Sequence, residues 1–344
     1  MRVAVAGTGA FGRNHLRVYR ELADDPSTGG VELVAAVEPE DGRAAEVAEA
    51  YDIPVFATVE AMLEADLRLD AASVAVPTVH HHSVASQLLA AGVDCLVEKP
   101  LAASLAEADE LVELAERHGR ILQPGHLERF NPAVLAIEPA LTRPMFFEAH
   151  RLSVFTPRSL DVDVVLDLMI HDLDIVLTFA KSEVKEVRAV GLPILSPKVD
   201  IANVRVEFES GCVANFTASR VSTERVRKLR FFEPRQYVSI DYARKDLLVI
   251  GVDAGFSLEQ AMAAGAASGF TEGLPGLSFS KPEVKAGEPL KLEIASFLDA
   301  VRERTEPRVT ARQGREALAL ALEIQRAMVE HAGKAGLESF FLAG

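Results

Sequence analysis

Residues 2–12 read RVAVAGTGAFG, an apolar run that breaks directly into three glycines with the spacing GxGxxG. The apolar residues 3–6 predict a buried strand, and residues 14–22 predict a helix. A strand that turns through glycines into a helix is the context in which this spacing binds a dinucleotide. The stretch therefore predicts an α/β nucleotide-binding fold.

Each glycine of the turn has a separate physical role. Gly7 permits the tight turn, Gly9 lets the backbone approach a pyrophosphate, and Gly12 lets the helix pack closely on the strand. The free N–H groups and the positive dipole end of the helix favour phosphate at the same place. We expect Ala10 and Phe11, between these glycines, to contact the cofactor as well.

The second predicted strand, residues 31–37, ends at Glu38. A carboxylate there can accept hydrogen bonds from the adenosine ribose and repel a 2′-phosphate, so the sequence favours NAD over NADP. Two observations weaken this preference. Glu38 begins an acidic loop and is alternatively a surface residue, and Arg43 lies close enough in sequence to reduce the repulsion.

The chain has 344 residues, enough for about two domains with separate cores. Its apolar runs are strand-sized, no signal-like region precedes the first strand, and two cysteines do not suggest a disulfide framework. We therefore expect a cytoplasmic protein without a membrane partner. A formal net charge of −15 argues against nucleic acid as a partner, although local arginines can still bind a small anion.

Strand and helix patterns alternate over residues 1–123, which predicts right-handed βαβ units and a doubly wound parallel Rossmann sheet. Residues 124–344 differ: a long helix at 164–180 precedes strands with period-two alternation, which predicts an antiparallel sheet on a helix layer. We assign this part to a substrate-binding domain of the α+β class. Residues 253–280, rich in Gly, Ala and Ser, are interpreted as a lid or an interface loop.

The end of the fifth predicted strand carries Glu98, Lys99 and a proline. Ligands of open α/β sheets lie beyond the carboxyl ends of the strands, so Lys99 is expected to face the nicotinamide and Glu98 to contact the cofactor. The ammonium can donate to a substrate oxygen, or help to remove a proton if burial lowers its pKa. The alternative is a solvated surface lysine. Pro77 and His81 follow the fourth strand, and an imidazole there is expected to contact the nicotinamide ribose.

Asp167, His171 and Asp174 share one face of the predicted long helix, which is otherwise strongly apolar. Buried acids and imidazoles are costly unless they are paired or functional. An imidazole titrates near neutrality and suits general acid–base catalysis, with Asp167 orienting it or binding substrate. A core hydrogen-bond network is the alternative. A metal site with His126 or His150 is a further one, but the ligand set is not closed, so we expect no metal.

Substrate contacts are expected at the domain junction, since clefts between domains are common ligand sites. His126, Arg129 and Asn131 are the polar residues there, although Arg129 alternatively ties the domains with a salt bridge. Arg151 and Arg158 flank a loop before the long helix, and their planar guanidinium groups match phosphate geometry.

Five motifs spread over nearly the whole chain together resemble the Gfo/Idh/MocA family of oxidoreductases. They are GTGAFG (7–12), PTVHH (77–81), EKP (98–100), ERFNP (128–132) and DLMIH (167–171). The resemblance implies a second domain with an open, mainly antiparallel sheet that often forms the oligomer interface, so we expect a homodimer or homotetramer. It also implies Lys99, Asp167 and His171 as the polar centre beside the nicotinamide, with His81 on its ribose side. We expect His171 to act as the base, Lys99 to polarise the substrate oxygen and Asp167 to orient the imidazole.

Two longer segments, at 126–134 and 155–175, are similar to family members that oxidise the 3-hydroxyl of UDP-N-acetylglucosamine in lipid A precursor synthesis. This similarity implies an NAD-dependent dehydrogenase with a nucleotide-sugar substrate. Residues 161–165, DVDVV, replace the Gly-Gly usual before the aspartate, which argues against generic inositol or free-sugar activity. The alternatives are a dehydrogenase of a free cyclitol, an aldose or a UDP-uronic acid, and a non-catalytic dinucleotide-binding regulator.

Overall fold

A computed structural model describes residues 1–156, 162–257, 259 and 276–337. By its internal contacts the chain divides into two units, Met1–Phe130 with Gly287–Ala319, and Asn131–Ala286 with Leu320–Gly344. The first unit thus runs past residue 123 and includes a C-terminal segment that the sequence analysis placed in the second domain. Arg158 and most of the predicted loop 253–280 lie outside the described residues.

The first unit contains a parallel sheet whose strands alternate with helices along the chain. The strands are β1 (Arg2–Ala6), β2 (Glu32–Val37), β3 (Val55–Phe56), β4 (Ala71–Val74), β5 (Asp94–Glu98) and β6 (Leu122–Gly125). Their order is β3-β2-β1-β4-β5-β6, and every neighbouring pair is parallel. The order reverses between β1 and β4, which places a ligand crevice at their carboxyl ends. The predicted doubly wound Rossmann sheet is confirmed.

Helices follow these strands at nearly the predicted positions. They are α1 (Gly12–Ala23), α2 (Asp41–Tyr51), α3 (Val59–Glu64), α4 (His81–Ala90) and α5 (Leu105–His118), with short 3-10 turns at Pro26–Thr28, Thr78–His80 and Leu127–Phe130. Local side chains set several ends. Ser104 accepts a hydrogen bond from the N–H of Glu107 at the start of α5, and Gly119 closes that helix with a φ of 60°.

The second unit contains a mixed sheet that is mostly antiparallel. Its strands are β7 (Phe146–Leu152), β8 (Val184–Leu192), β9 (Ile201–Phe208), β10 (Val213–Ser219), β11 (Val226–Glu233), β12 (Gln236–Asp241), β13 (Asp246–Val252) and β14 (Leu277–Ser280). Within the described residues their order is β14-β13-β12-β11-β7-β10-β9-β8, and only β7 and β10 run parallel. The sequence pattern did not predict β13, and β14 lies inside the Gly-rich stretch 253–280 that was interpreted as a lid or an interface loop.

The two faces of this sheet differ. Alternate residues such as Val204, Val206 and Phe216 are buried and form a core, while their neighbours are exposed or half-exposed. A row of half-exposed apolar side chains crosses the second face at one register level: Phe279, Ile250, Tyr237, Phe232, Phe146 and Val213. Neighbouring rings in this apolar row lie 5.2–5.4 Å apart between centroids.

The remaining helices are α6 (Pro132–Ile137), α7 (Ile170–Ala180), α8 (Pro289–Glu303) and α9 (Ala311–Ala335). A 3-10 turn, Glu138–Ala140, follows α6. Helix α8 buries Ile294 and Phe297 in the same core as Leu16 and Tyr19 of α1, which explains why this late segment belongs to the first unit. No helix in the described ranges is long and apolar enough to cross a membrane.

The predicted single helix over 164–180 is wrong at its beginning, where a π-helix occupies Val165–Met169 before α7 starts. The N–H of Ile170 bonds to the carbonyl of Val165, five residues back. Asp163 from the unusual DVDVV segment caps this turn, because its Oδ1 accepts from the N–H groups of Val165 at 2.9 Å and Leu166 at 3.1 Å. Gln325 of α9 donates to its other oxygen.

Candidate active site

A cavity of about 800 Å³ opens at the carboxyl ends of β1, β2 and β4 in the first unit. Its walls are the glycine turn after β1, the ends of β2 and β3, the loop after β4 and one side of α4. Six of the predicted cofactor residues line it: Gly7, Gly9, Ala10, Phe11, Glu38 and Pro77. Gly12, His81, Glu98 and Lys99 are not among its lining residues.

The three glycines of the turn are required for two different reasons. Gly7 has a φ of 89°, and a Cβ there would lie 2.7 Å from the backbone of Ala75 and Val76. A Cβ on Gly12 would collide with the carbonyl oxygen of Gly7. A Cβ on Gly9 would meet no described atom within 4 Å, since it would point into open space at the cavity. The fold therefore requires Gly7 and Gly12, whereas Gly9 keeps space clear for a ligand.

Glu38 is buried in the cavity wall, where four donors surround its carboxylate. Oε2 accepts from the N–H of Thr8 at 3.2 Å and from its hydroxyl at 2.7 Å. Oε1 accepts from the N–H of Glu40 at 3.1 Å and from Arg43 at 2.9 Å. Burial alone would raise the pKa of Glu38, but the hydrogen bonds from Arg43, Thr8 and Glu40 outweigh it and lower the pKa to about 2. Glu38 thus keeps a negative charge beside the cavity and also braces the glycine turn.

These features fit a bound dinucleotide. The start of α1, with the positive end of its dipole, lies next to the clear space over Gly9, and a fixed carboxylate stands at the end of β2. Thr8, Thr58 after β3 and Gln87 on α4 also line the cavity, and none of them was predicted from the sequence. The rule that ligands bind beyond the carboxyl ends of neighbouring strands is the signal that points to them.

His81 is buried behind the cavity and does not line it. Its Nε2 lies 2.9 Å from the carbonyl oxygen of Val76, and its Nδ1 lies 2.8 Å from that of Pro100, so the buried ring links the loops after β4 and β5. Burial lowers the pKa of His81, although both carbonyls favour its charged form. The exposed neighbour His80, not His81, lines the cavity.

The predicted catalytic lysine follows directly on β5. Lys99 is half-buried and precedes Pro100 through a cis peptide bond. Glu98 is 8% exposed, and its Oε1 lies 2.9 Å from Nε2 of His15 on α1. The sequence analysis did not single out His15, because an isolated histidine on an amphipathic helix carries no distinctive pattern.

Two of the residues predicted to contact substrate, Arg129 and Asn131, make hydrogen bonds to other parts of the chain, and a third, His126, is buried. Arg129 is buried, and its Nη2 donates to the carbonyl of Arg308 at 3.3 Å while Arg308 donates back to the carbonyl of Arg129. Asn131 caps α6, accepting from the N–H of Ala133 at 3.1 Å and donating to the carbonyl of Tyr242 at 3.2 Å. His126 is buried next to the 3-10 turn that carries Arg129.

Arg151 lies on the inner face of β7, where its guanidinium group is paired with Asp172 of α7. Nε and Nη2 donate to the two carboxylate oxygens at 2.7 and 3.0 Å, and both side chains are buried. The guanidinium carbon also lies 5.3 Å from the ring centroid of Tyr242. This arrangement does not support the prediction that Arg151 holds a diphosphate, because its guanidinium group already donates two hydrogen bonds to the carboxylate of Asp172.

Asp167 lies in the π-helix and His171 in the first turn of α7, and both are half-buried. Asp172 and Asp174, farther along α7, are buried. Of the acids in this segment, Asp167 therefore stays partly accessible, as a residue that meets a substrate must. π-helical turns occur frequently at functional sites, because the extra residue changes where the following side chains point. Among the described residues, no group of three His, Cys, Asp or Glu is arranged to hold a metal ion.

Comparisons with known proteins support the same chemistry. A family model described as "Oxidoreductase family, NAD-binding Rossmann fold" matches residues 1–126, and one described as "GFO/IDH/MocA C-terminal domain" matches residues 138–235. UDP-N-acetylglucosamine 3-dehydrogenase from Acidithiobacillus ferrooxidans is 34% identical over 95% of this chain and 97% of its own length. The scyllo-inositol 2-dehydrogenase (NAD(+)) of Bacillus subtilis is 28% identical over 64% of this chain and 68% of its own length.

Solved structures agree with the fold. A structure of UDP-N-acetylglucosamine 3-dehydrogenase from Acidithiobacillus ferrooxidans superposes with a TM-score of 0.82 at 33% identity, covering 95% of this chain and 97% of that one. Levoglucosan dehydrogenase in complex with NADH and L-sorbose shares the fold, with a TM-score of 0.81 at 16% identity over 96% of this chain and 97% of that one. The chain therefore belongs to the Gfo/Idh/MocA family, and it is an oxidoreductase that uses an NAD-type dinucleotide and acts on CH–OH groups.

Proposed function

We propose that this protein is an NAD-dependent dehydrogenase that oxidises the 3-hydroxyl of UDP-N-acetylglucosamine to a ketone. The observation that carries the proposal is the cavity at the glycine turn, with clear space over Gly9 and a charged carboxylate at Glu38. The substrate assignment rests on the relative with that activity, which is similar along nearly the whole chain. The product is of the kind that precedes amination in the synthesis of amino sugars for lipid A.

NAD is the proposed cofactor. The ionised carboxylate of Glu38 repels a 2′-phosphate and can accept hydrogen bonds from ribose hydroxyls. Arg43 donates to the same carboxylate and would attract a phosphate, but its charge is neutralised while it is paired with Glu38. The repulsion from Glu38 therefore outweighs the attraction from the paired Arg43, so we expect the site to bind NAD more tightly than NADP.

We assign three residues to the chemistry. When bound, NAD would accept the hydride that leaves C3 of the sugar. His171 takes the hydroxyl proton, since a neutral imidazole is a competent base near neutral pH. Lys99 donates a hydrogen bond to the same oxygen and stabilises the negative charge that develops on it. Asp167 accepts from the other imidazole nitrogen and holds the ring in the basic tautomer. Arg158 stays the predicted ligand of the diphosphate.

Steady-state NADH formation tests this proposal directly. Purified protein with NAD is offered UDP-N-acetylglucosamine, a UDP-uronic acid, myo-inositol and a free aldose, and the product is identified by NMR. We expect turnover with UDP-N-acetylglucosamine and a 3-keto product. Turnover with another compound alone would overturn the substrate assignment.

Variants test the assigned roles. His171→Ala and Lys99→Ala should each lower kcat by about 10²- to 10⁴-fold, the usual contribution of a general acid or base. His331→Ala, which removes an exposed imidazole from α9, is the matched control and should keep full activity. Full activity in either of the first two variants would contradict the roles.

A cyclitol is the second candidate substrate. Inositol 2-dehydrogenase 1 from Saccharopolyspora erythraea is 32% identical over 54% of this chain and 56% of its own length. Because this similarity covers about half of each chain, it supports the cyclitol less strongly than the nucleotide sugar. The substrate panel above separates the two.

We also propose self-association to a dimer or tetramer through the apolar row of the second unit's sheet. Six half-exposed apolar residues form one continuous line on the sheet. Burying this surface against a second copy of the chain lowers the free energy. Light scattering at micromolar concentration should give a mass of at least two chains, and a monomer would contradict the proposal.

A further inference from the structure

A line of buried polar side chains crosses the first unit from α1 to the end of β5. The Tyr19 hydroxyl lies 2.8 Å from Oγ of Ser73, which lies 3.0 Å from Nδ1 of His15. Nε2 of His15 lies 2.9 Å from Oε1 of Glu98. Tyr19, Ser73 and His15 are fully buried. No residue in this line was given a catalytic role above.

The carboxylate at the end of the line fixes the direction of the hydrogen bond between His15 and Glu98. A carboxylate only accepts, so Nε2 of His15 must carry the proton that faces Glu98. In the neutral ring, Nδ1 has a lone pair and accepts from the hydroxyl of Ser73, whose oxygen accepts in turn from Tyr19. Burial raises the pKa of Tyr19, so its hydroxyl keeps the proton that it donates. One neutral tautomer of His15 thus satisfies all four groups.

The backbone of β6 also confines the side chain of Glu98. A Cβ on Gly125, the residue opposite Glu98 on β6, would lie 3.0 Å from Oε1 and 3.1 Å from Cα of Glu98. The carboxylate is therefore confined between His15 on one side and the β6 backbone on the other. Its position is set by contacts that a longer or differently protonated side chain would not reproduce.

His15 connects this line to two parts of the first unit that the chemistry needs. Its ring lies 5.6 Å between centroids from Phe11, which lines the cavity. Its Nε2 faces Glu98, the residue that precedes Lys99. His15 thus contacts both the glycine-turn segment and the strand end that carries the lysine.

We propose that His15, held by Ser73 and Tyr19, is a positioning residue that fixes Glu98 and thereby the placement of Lys99 relative to the cofactor cavity. This inference rests on the proposed role of Lys99. A small displacement of a catalytic group lowers the rate without preventing binding, and a shift of about 1 Å can cost about 10²-fold. His15 should therefore act on kcat far more than on binding.

The kinetic test compares three variants in the full-length enzyme. His15→Leu removes both ring nitrogens and should lower kcat by about 10- to 100-fold, with KM for both substrates changed by less than about threefold. His15→Gln can still donate to Glu98 and should recover most of the loss. Leu16→Ala, a buried neighbour in the same core without a polar partner, should lower the melting temperature and leave kcat unchanged. Unchanged kcat in His15→Leu, or an equal loss of kcat in Leu16→Ala, would overturn the proposal.

A second readout does not depend on turnover. The ¹⁵N resonances of labelled histidine report which ring nitrogen carries the proton, and the His15 signals are identified by their loss in His15→Gln. We expect a protonated Nε2 and an unprotonated Nδ1 in the wild-type protein. A proton on Nδ1, alone or together with Nε2, would overturn the proposal. If no compound of the substrate panel is oxidised, the proposed function fails while this measurement still decides the hydrogen-bond line.

Discussion

Two arginine–carboxylate pairs in this chain have similar distances and opposite surroundings. Arg43 lies 2.9 Å from Glu38 and is 46% exposed at the side chain, beside the cofactor cavity. Arg151 lies 2.7 Å from Asp172, and these two side chains are 4% and 3% exposed. A pair beside a cavity can exchange one partner for a ligand, whereas a sealed pair can do so only by exposing a charge to an apolar interior. We therefore expect the first pair to contribute to cofactor recognition and the second to stabilise the fold.

The largest expected effect comes from removing one charge of the buried pair Arg151–Asp172. Asp172→Asn leaves the Arg151 charge buried without its counter-ion and should lower the free energy of unfolding by about 3–5 kcal/mol. Urea unfolding followed by circular dichroism measures it. The double variant Arg151→Met/Asp172→Leu removes both charges and should recover most of the loss. A loss below about 1 kcal/mol in Asp172→Asn would break the distinction between the two pairs.

The next effect is a pH dependence that belongs to Glu38. Its pKa in the folded chain is about 2, below the ordinary value of 4.5, so the unfolded chain binds a proton first as the pH falls. The stabilisation is complete above pH ~4.5 and is lost as the pH falls toward ~2, with a total of about 3 kcal/mol. The difference in unfolding free energy between wild type and Glu38→Gln should therefore shrink on acidification. A constant difference from pH 7 to pH 3 would contradict the assigned pKa direction.

A smaller effect should appear in cofactor preference. Glu38→Gln removes the charge that repels a 2′-phosphate and frees the guanidinium group of Arg43. The ratio of kcat/KM with NAD to that with NADP should fall by about 10- to 100-fold. Glu40→Gln is the control, because Glu40 also approaches Arg43, at 3.6 Å, but is exposed. An equal change in both variants would show that the ratio reports surface charge and not the buried pair.

The sequence predicted the first unit well because its signals are local. An apolar strand, a glycine turn and a helix follow one another within residues 2–23, and their conformations depend little on distant parts of the chain. The partner of α8 was not predictable in the same way. An amphipathic helix shows which face it buries, but it does not show which element covers that face.

Side-chain directions were hardest to predict where polarity and periodicity disagree. In β7, Phe147 and Ala149 point inward, so the period of two places Arg151 inward as well. A charged side chain suggests the opposite, and only the position of Asp172 on α7 resolves the conflict. The π-helix at Asp167 was missed for a related reason, since one extra residue in a turn leaves the apolar pattern almost unchanged.

Binding of NAD to Gly9→Ala tests the central claim most directly, because the added methyl group meets no described atom of the protein within 4 Å. Calorimetric titration, together with a melting curve without ligand, separates binding from folding. The predicted result is an unchanged melting temperature and a Kd for NAD that rises by about tenfold or more. An unchanged Kd in a normally folded variant would contradict the placement of the dinucleotide at the glycine turn.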